Sequence, residues 1–207
     1  IKTAFIGYKM KERGDKDFTE EEKKSCINNQ PPGSPYLSIL SFAGGFHGRT
    51  LGALSLTHSK PLQKLDIPSF SYWPVAPYPL YKYPTDQNCR ENALVDCKCL
   101  EQIEDLFEKH KKCAPIAGVV IEPIQSEGGD NHGSPEFFQS LQQICKKNSA
   151  YLIMDEVQTG CCPTGRFWCH EYFNLPCPPD IVTFSKKMQS GGYFYTDELK
   201  PKHPTRI

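Results

Sequence analysis

The sequence has no long apolar run and no excess of charge of either sign. No stretch of its 207 residues approaches the roughly 18 to 20 consecutive apolar residues that a membrane-spanning helix needs. Its 24 basic side chains are balanced by 24 acidic ones, so the composition does not indicate a nucleic-acid partner or binding to a charged membrane surface. We therefore expect neither nucleic acid nor a membrane among its partners.

Three motifs of common enzyme classes are also missing. The sequence contains no G-x-G-x-x-G, no G-x-x-x-x-G-K-[ST] and no G-x-S-x-G. These motifs bind dinucleotides, bind nucleotide phosphates and present a serine nucleophile, respectively. Any catalytic site must therefore be built from other residues.

Cysteine is abundant, but no two cysteines have the C-x-x-C spacing that is typical of zinc sites. We interpret the ten cysteines as reduced, partly buried thiols of an intracellular enzyme. The alternative is a zinc cluster formed by Cys161, Cys162, Cys169, His170 and Cys177. Because the paired spacing is absent, we expect no metal site.

Hydrophobic periodicity predicts alternating strands and helices. The predicted strands are 36–43, 116–124 with a break at Pro123, 151–157, 181–185 and a final, antiparallel one at 193–195. The predicted helices are 1–12, 50–57, 94–111 and 135–148, with a further short helix capped by Thr19. The proline-rich segment 66–86 is predicted to lie as an extended loop on the surface. The alternation predicts an α/β fold with a mostly parallel sheet flanked by helices.

Asp155 and Lys186 each follow an apolar segment that is typical of a buried strand, and their separation fits one strand–crossover–strand unit. Ligands of open α/β sheets bind beyond the carboxyl ends of the strands. A lysine that forms a Schiff base and an acid that pairs with a pyridinium nitrogen are the groups that pyridoxal phosphate (PLP) requires. The pair therefore predicts a PLP site. The alternatives are an aspartate that caps the next turn and a solvated lysine.

Three neighbours of this pair bear on the prediction. Lys187 competes with Lys186, and because side chains alternate along a strand, we expect only one of the two to face the ligand. Gln158 is a candidate hydrogen-bond partner for the phenolic oxygen of the cofactor, and Val157 is a candidate contact for its ring. A solvated glutamine and a core valine are the alternatives.

Two further segments supply candidate residues. In the glycine-rich turn 44–50, Phe46 is suited to stack on an aromatic cofactor and Arg49 to bind a carboxylate through two hydrogen bonds. Glu122 and Glu127 place two carboxylates at one strand–loop junction. Glycosidases also use paired acids, but the spacing of these two does not fix their separation.

Taken together, the motifs resemble those of the class III, fold-type I, PLP-dependent aminotransferases. The resemblance extends through nearly the whole chain. It rests on Phe46-His-Gly-Arg-Thr, on Met154-Asp-Glu-Val-Gln-Thr-Gly, on Thr183-Phe-Ser-Lys-Lys-Met and on the stretch from Val120 to His132. The run from Glu122 to His132 is the most specific part.

The resemblance implies a role for each residue at the cofactor. Lys186 is implied to be the Schiff-base lysine, Asp155 the partner of the pyridinium nitrogen and Gln158 the contact to the phenolic oxygen. Phe46 and Val157 are implied to enclose the ring from its two faces.

The resemblance also implies roles towards the substrates. Arg49 would bind the substrate carboxylate, and Glu127 would pair with a C-terminal arginine that is released when a 2-oxo acid binds. The implied reaction moves the amino group of 4-aminobutanoate to 2-oxoglutarate and gives succinate semialdehyde and glutamate. Ornithine, β-alanine or a diamine is the alternative substrate, and an inactive fragment that acts only as a binding module is a further alternative.

The family implies a protein longer than residues 1–207. Its N-terminal segment, its loop for the cofactor phosphate and its C-terminal domain have no counterpart here, so we expect a partial PLP-binding large domain. The full-length protein is expected to be a homodimer in the mitochondrial matrix. Cys161-Cys162-Pro163 replaces a glycine-rich stretch of the family, which makes the conformation of that loop an open question.

Overall fold

A computed structural model describes residues 1–206, and Ile207 lies outside the described residues. The helices are α1 (Lys2–Arg13), α2 (Glu20–Ile27), α3 (Leu51–Ser55), α4 (Cys89–His110) and α5 (Pro135–Lys147). The strands are β1 (Ser38–Phe42), β2 (Val75–Ala76), β3 (Ile116–Ile121), β4 (Ile124–Gln125), β5 (Asn131–His132), β6 (Tyr151–Asp155), β7 (Ile181–Phe184) and β8 (Gly192–Tyr195).

Six of the strands form one sheet in the order β2-β1-β3-β6-β7-β8. All neighbours pair in parallel except β7 and β8, which are antiparallel. The carboxyl ends of β1, β3, β6 and β7 therefore meet at one edge of the sheet. This confirms the α/β class, the mostly parallel sheet and the antiparallel final strand.

Strands β1, β3 and β6 are buried along their whole length. Successive side chains of β6 enter different cores: Leu152 and Met154 pack with α4 and α5, whereas Tyr151 and Ile153 pack on the side of α1. This alternation follows from the two-residue period of a strand. A sheet with helices on both faces needs such continuously apolar strands, and each fully buried large side chain stabilises the fold by about 1.5–3 kcal/mol.

Local sequence signals fix several element ends. Thr19 forms a capping box with Glu22 at the start of α2, as its sequence predicts. Ser134 caps α5 through the amide of Phe137, and Pro135 occupies the first turn, where its missing N–H costs nothing.

Other boundaries differ from the sequence prediction. Strand β3 ends at Ile121, because Pro123 cannot donate to a sheet. Ile124–Gln125 and Asn131–His132 then form β4 and β5, a small antiparallel pair that the sequence did not predict. Helix α4 begins at Cys89, five residues before the predicted start at 94. The prediction was late because the first turns of the helix are polar and show no apolar periodicity. Within residues 1–206, no helix is long and apolar enough to span a membrane.

Candidate active site

Asp155 is the last residue of β6 and a buried carboxylate at the ligand-binding edge of the sheet. Its Oδ2 lies 2.7 Å from Nδ1 of His47. Its Oδ1 accepts a hydrogen bond from the hydroxyl of Thr183 at 2.9 Å and one from the amide of Val157 at 3.2 Å. The carboxylate is thus held by three elements, and its orientation is fixed.

The environment of Asp155 favours its charged form. Burial raises the pKa of this carboxyl, but the hydrogen bond and charge of His47, together with the Val157 amide and the Thr183 hydroxyl, more than offset that effect. The pKa therefore lies below its usual value. Glu122 shows the opposite outcome: burial raises its pKa more than the nearby His47 and the Phe46 amide lower it.

The glycine-rich turn after β1 brings His47 to Asp155. Gly44 and Gly48 have φ angles of 78° and 117°, a region that residues with a Cβ rarely adopt. A Cβ on Gly44 would lie 3.0 Å from Oε1 of Gln125, whose amide donates to the carbonyl of Ala43 at 2.8 Å. Glycine is therefore required both by the backbone angle and by the close packing of β4.

Side chains around the turn hold its backbone. The amide of Phe46 donates to Glu122 at 2.9 Å, so Glu122 supports the site from the end of β3. The amide of His47 donates to the hydroxyl of Thr57 at 3.0 Å. The amide of His58 donates to the carbonyl of Gly45 at 2.7 Å. These bonds fix the backbone around Phe46, whose side chain is half-buried.

Gln158 links the end of β6 to both candidate lysines. Its side-chain oxygen accepts a hydrogen bond from Nζ of Lys186, and its backbone carbonyl accepts one from Nζ of Lys187 at 2.9 Å. Both lysines thus contact Gln158, and which of them faces a ligand stays a prediction. Strand β7 ends at Phe184, and residues Lys186–Met188 form a 3₁₀ turn, so strand alternation no longer applies. Lys186 itself has a φ of 45°.

A cluster of charges lies beside the lysines. Nζ of Lys60 lies 2.7 Å from Oε2 of Glu127, and this hydrogen bond is the main cause that lowers the pKa of Glu127, with smaller contributions from the charges of Lys186 and Arg49. Arg49 is exposed after the glycine turn. The fold thus brings Arg49, Glu127 and Lys186 into one region.

The sequence prediction missed three residues of this edge: His47, Thr183 and Lys60. His47 and Thr183 occur inside the motifs that carry the family resemblance, next to the residues that were assigned roles. Their contacts to Asp155 depend on the pairing of β1, β3, β6 and β7, which sequence spacing does not give. Lys60 ends Thr57-His-Ser-Lys60, a further stretch that resembles the family, but no role was assigned to it.

Two other groups of residues lie away from this edge. A cavity of about 660 Å³ is lined by Tyr81, Asp96 and Ser134 together with the first turn of α4, and no predicted site residue lines it.

The candidate zinc ligands also lie away from the edge. One of them, His170, is hydrogen-bonded through Nδ1 to Glu156 at 2.8 Å. Across the described part of the chain, no three His, Cys, Asp or Glu side chains gather as metal ligands.

The remaining hydrogen-bonding capacity of Asp155 fits the nitrogen of a protonated heterocycle. An ionised carboxylate has about four acceptor sites. Oδ1 has two donors and Oδ2 has one, so one acceptor site of Oδ2 remains for a ligand N–H. Together with an exposed lysine and a half-buried phenylalanine, this donor and acceptor set is the one that PLP requires.

The structure is thus that of an α/β protein with a buried acid, Asp155, and a lysine, Lys186, at the carboxyl ends of the parallel strands β6 and β7. The model of the family "Aminotransferase class-III" matches residues 1–207. The chain belongs to that family.

The named relatives are longer than this chain. The chain is 51% identical over its whole length to the human mitochondrial 4-aminobutyrate aminotransferase and 52% identical to the 4-aminobutyrate aminotransferase of Emericella nidulans. A solved structure of a lysine aminotransferase from M. tuberculosis matches 96% of the chain at 33% identity, with a TM-score of 0.76. The chain covers 41% of the length of each of these three proteins.

Proposed function

We propose that the full-length protein is a PLP-dependent aminotransferase that moves the amino group of 4-aminobutanoate to 2-oxoglutarate. The observation that carries this proposal is the buried Asp155 carboxylate, held by His47 and Thr183, at the edge where Lys186 follows β7. The substrate is proposed from the relatives named 4-aminobutyrate aminotransferases and from the exposed arginine of the glycine turn.

The cofactor would be held by five residues of this chain. Asp155 would accept the N–H of the ring and Gln158 would contact the phenolic oxygen. Phe46 and Val157 would enclose the ring, and Lys186 would hold the cofactor covalently. When bound, PLP supplies an electrophilic carbon and a ring that withdraws electrons from the substrate.

The chain's own groups then position the substrates and move the proton. Nζ of Lys186, as the free amine, would take a proton from the amino-bearing carbon of the substrate and return it to the carbon on the other side of the amino nitrogen. Arg49 would bind the distal carboxylate, which places the amino end of 4-aminobutanoate at the lysine. Glu127 would neutralise an arginine of the C-terminal domain while the amino donor is bound and release it to 2-oxoglutarate. In the described residues Glu127 instead pairs with Lys60, so Lys60 would compete for Glu127 and favour that release.

The remaining parts of the proposal concern the whole protein. We propose that residues 1–207 are part of its PLP-binding large domain, that it is a homodimer and that it acts in the mitochondrial matrix. Several relatives are named mitochondrial, and others, such as that of Dictyostelium discoideum, carry no such word. Targeting of the tagged full-length protein in cells tests the location.

The function is tested by two lysine variants of the full-length protein. Lys186→Ala is expected to lose the absorption band of lysine-bound PLP near the visible edge, whereas Lys187→Ala keeps it. Borohydride reduction followed by peptide mass analysis identifies the lysine that carries the pyridoxyl group. Lys187 is a matched control, because its amine also contacts Gln158. Pyridoxyl on Lys187, or a band that persists in Lys186→Ala, contradicts the assignment.

A further inference from the structure

Glu156 directly follows Asp155 at the end of β6 and is the more deeply buried of the two acids. Its carboxylate accepts four hydrogen bonds. The donors are the hydroxyl of Thr159, the amides of Cys169 and His170 at 3.1 and 2.8 Å, and Nδ1 of His170 at 2.8 Å. An ionised carboxylate has about four acceptor sites. Glu156, unlike Asp155, therefore has no acceptor site left for a ligand and can act on one only through the residues that it holds.

Glu156 closes both ends of the loop that follows β6. At the start of the loop, its backbone carbonyl accepts the amide of Gly160 at 2.8 Å, and its carboxylate accepts the hydroxyl of Thr159. At the end of the loop, the same carboxylate accepts the first two amides of the 3₁₀ turn Cys169–Phe173. A Cβ on Gly160 would lie 2.8 Å from the ring of Trp168, so the two ends of the loop pack directly against each other.

Gln158 lies within the part of the loop that the two acids hold. Asp155 accepts the amide of Val157, and Glu156 binds the two residues that follow Gln158. From this turn the side chain of Gln158 reaches Nζ of Lys186. The orientation of Gln158 towards the lysine therefore depends on a carboxylate that itself touches neither the lysine nor a ligand.

We propose that Glu156 is a positioning residue that sets the contact of Gln158 with the phenolic oxygen of the cofactor. The inference rests on the proposed function, in which Gln158 makes that contact. A well-placed amide donor stabilises a negative phenolic oxygen. The stabilisation is greatest once the neighbouring lysine-bound nitrogen has lost its proton, so misplacing the donor should raise the pKa of that nitrogen.

The test compares Glu156→Gln with Glu171→Gln in the full-length protein. Glutamine offers one oxygen instead of two, so two of the four buried donors lose their acceptor. We expect the dissociation constant of PLP to rise about tenfold. The pH at which the absorption band of lysine-bound PLP changes should also move upward. Glu171 is the matched control, because it is exposed and accepts only the amide of Trp168 at 2.9 Å, and its variant should leave both quantities unchanged.

A double variant separates positioning from a general loss of stability. If Glu156 acts through Gln158, Glu156→Gln should move the pH of the band no further once Gln158→Ala is present. Additive shifts in the double variant overturn the proposal. Equal behaviour of Glu156→Gln and Glu171→Gln overturns it as well.

Thr159→Val is a milder variant that keeps the test decisive if Glu156→Gln does not fold. It replaces one of the four donors by a methyl group of the same size, so we expect a smaller shift in the same direction. Thr159→Ser keeps the hydroxyl and should behave like the wild type. A wild type without the band of lysine-bound PLP would refute the proposed function itself. A wild-type band that the variants of Glu156 and Thr159 leave unchanged overturns only the role of Glu156.

Discussion

His47 and Asp155 stand 108 positions apart in the sequence, yet Nδ1 of His47 lies 2.7 Å from Oδ2 of Asp155. The two side chains come from the turn after β1 and from the end of β6, and both are almost wholly buried. A histidine that donates to a carboxylate fixes both its own tautomer and the orientation of the acid. His47 is therefore a positioning residue for the acid that would hold the cofactor nitrogen.

Replacing His47 should weaken cofactor binding. His47→Leu removes a donor from a buried carboxylate, which costs about 1–3 kcal/mol and raises the pKa of Asp155. We expect the dissociation constant of PLP, measured by absorbance titration of the full-length protein, to rise about tenfold or more. His47→Gln keeps a donor and should lose less, and His132→Leu, at an exposed site, should have no effect. Equal affinities of wild type and His47→Leu would refute the role.

Arg49→Ala separates substrate binding from cofactor binding. Because Arg49 is exposed and lies outside the contacts that hold Asp155, its loss should leave PLP affinity unchanged. The KM for 4-aminobutanoate should rise about tenfold or more, since a charged hydrogen-bonded pair is lost. Steady-state kinetics with Arg90→Ala, an exposed arginine on α4, provide the control. A parallel loss of PLP would count against a substrate clamp.

His58 should make the protein less stable in mild acid. Burial, with the charge of Lys64, lowers the pKa of His58 to about 4, whereas an unfolded histidine titrates near 6.5. Between these values the unfolded state binds the proton and the folded state does not, so stability falls as the pH falls from about 6.5 to 4. Because His58 is only partly buried, we expect on the order of 1 kcal/mol.

The measurement is the melting temperature of the full-length protein between pH 7 and 4, for wild type and His58→Gln. Glutamine retains a group that can bond to the hydroxyl of Ser41, as Nε2 of His58 does at 3.0 Å. The variant should lose less stability than the wild type over this interval. Identical pH profiles would show that His58 titrates normally in the folded state.

Cys161 and Cys162 occupy positions that favour glycine. Their φ angles are 68° and 69°, and a residue with a Cβ pays roughly 1–2 kcal/mol in this region. Cys161→Gly and Cys162→Gly should therefore each raise the free energy of unfolding by up to about 1 kcal/mol, as read from melting temperature. The matched control is Cys97→Gly in helix α4, which should destabilise by about 1 kcal/mol. Destabilisation by both loop variants would contradict the prediction.

The sequence by itself determined the α/β class, the parallel sheet and the element types. Apolar segments such as Tyr151–Asp155 have one stable location, the interior of a covered sheet, and helix caps such as Thr19 act over a few residues. Because these signals are local, they survive in the sequence alone. The family resemblance likewise depends only on the order of residues.

The tertiary structure decided which side chains meet at the edge of the sheet. The contact between His47 and Asp155, the pairing of Lys60 with Glu127 and the approach of both lysines to Gln158 depend on strand order and on a 3₁₀ turn that ends strand alternation. The contacts of Glu156 with Cys169 and His170 similarly join a strand end to a distant turn. Such contacts arise from the packing of the whole chain, which no local pattern encodes.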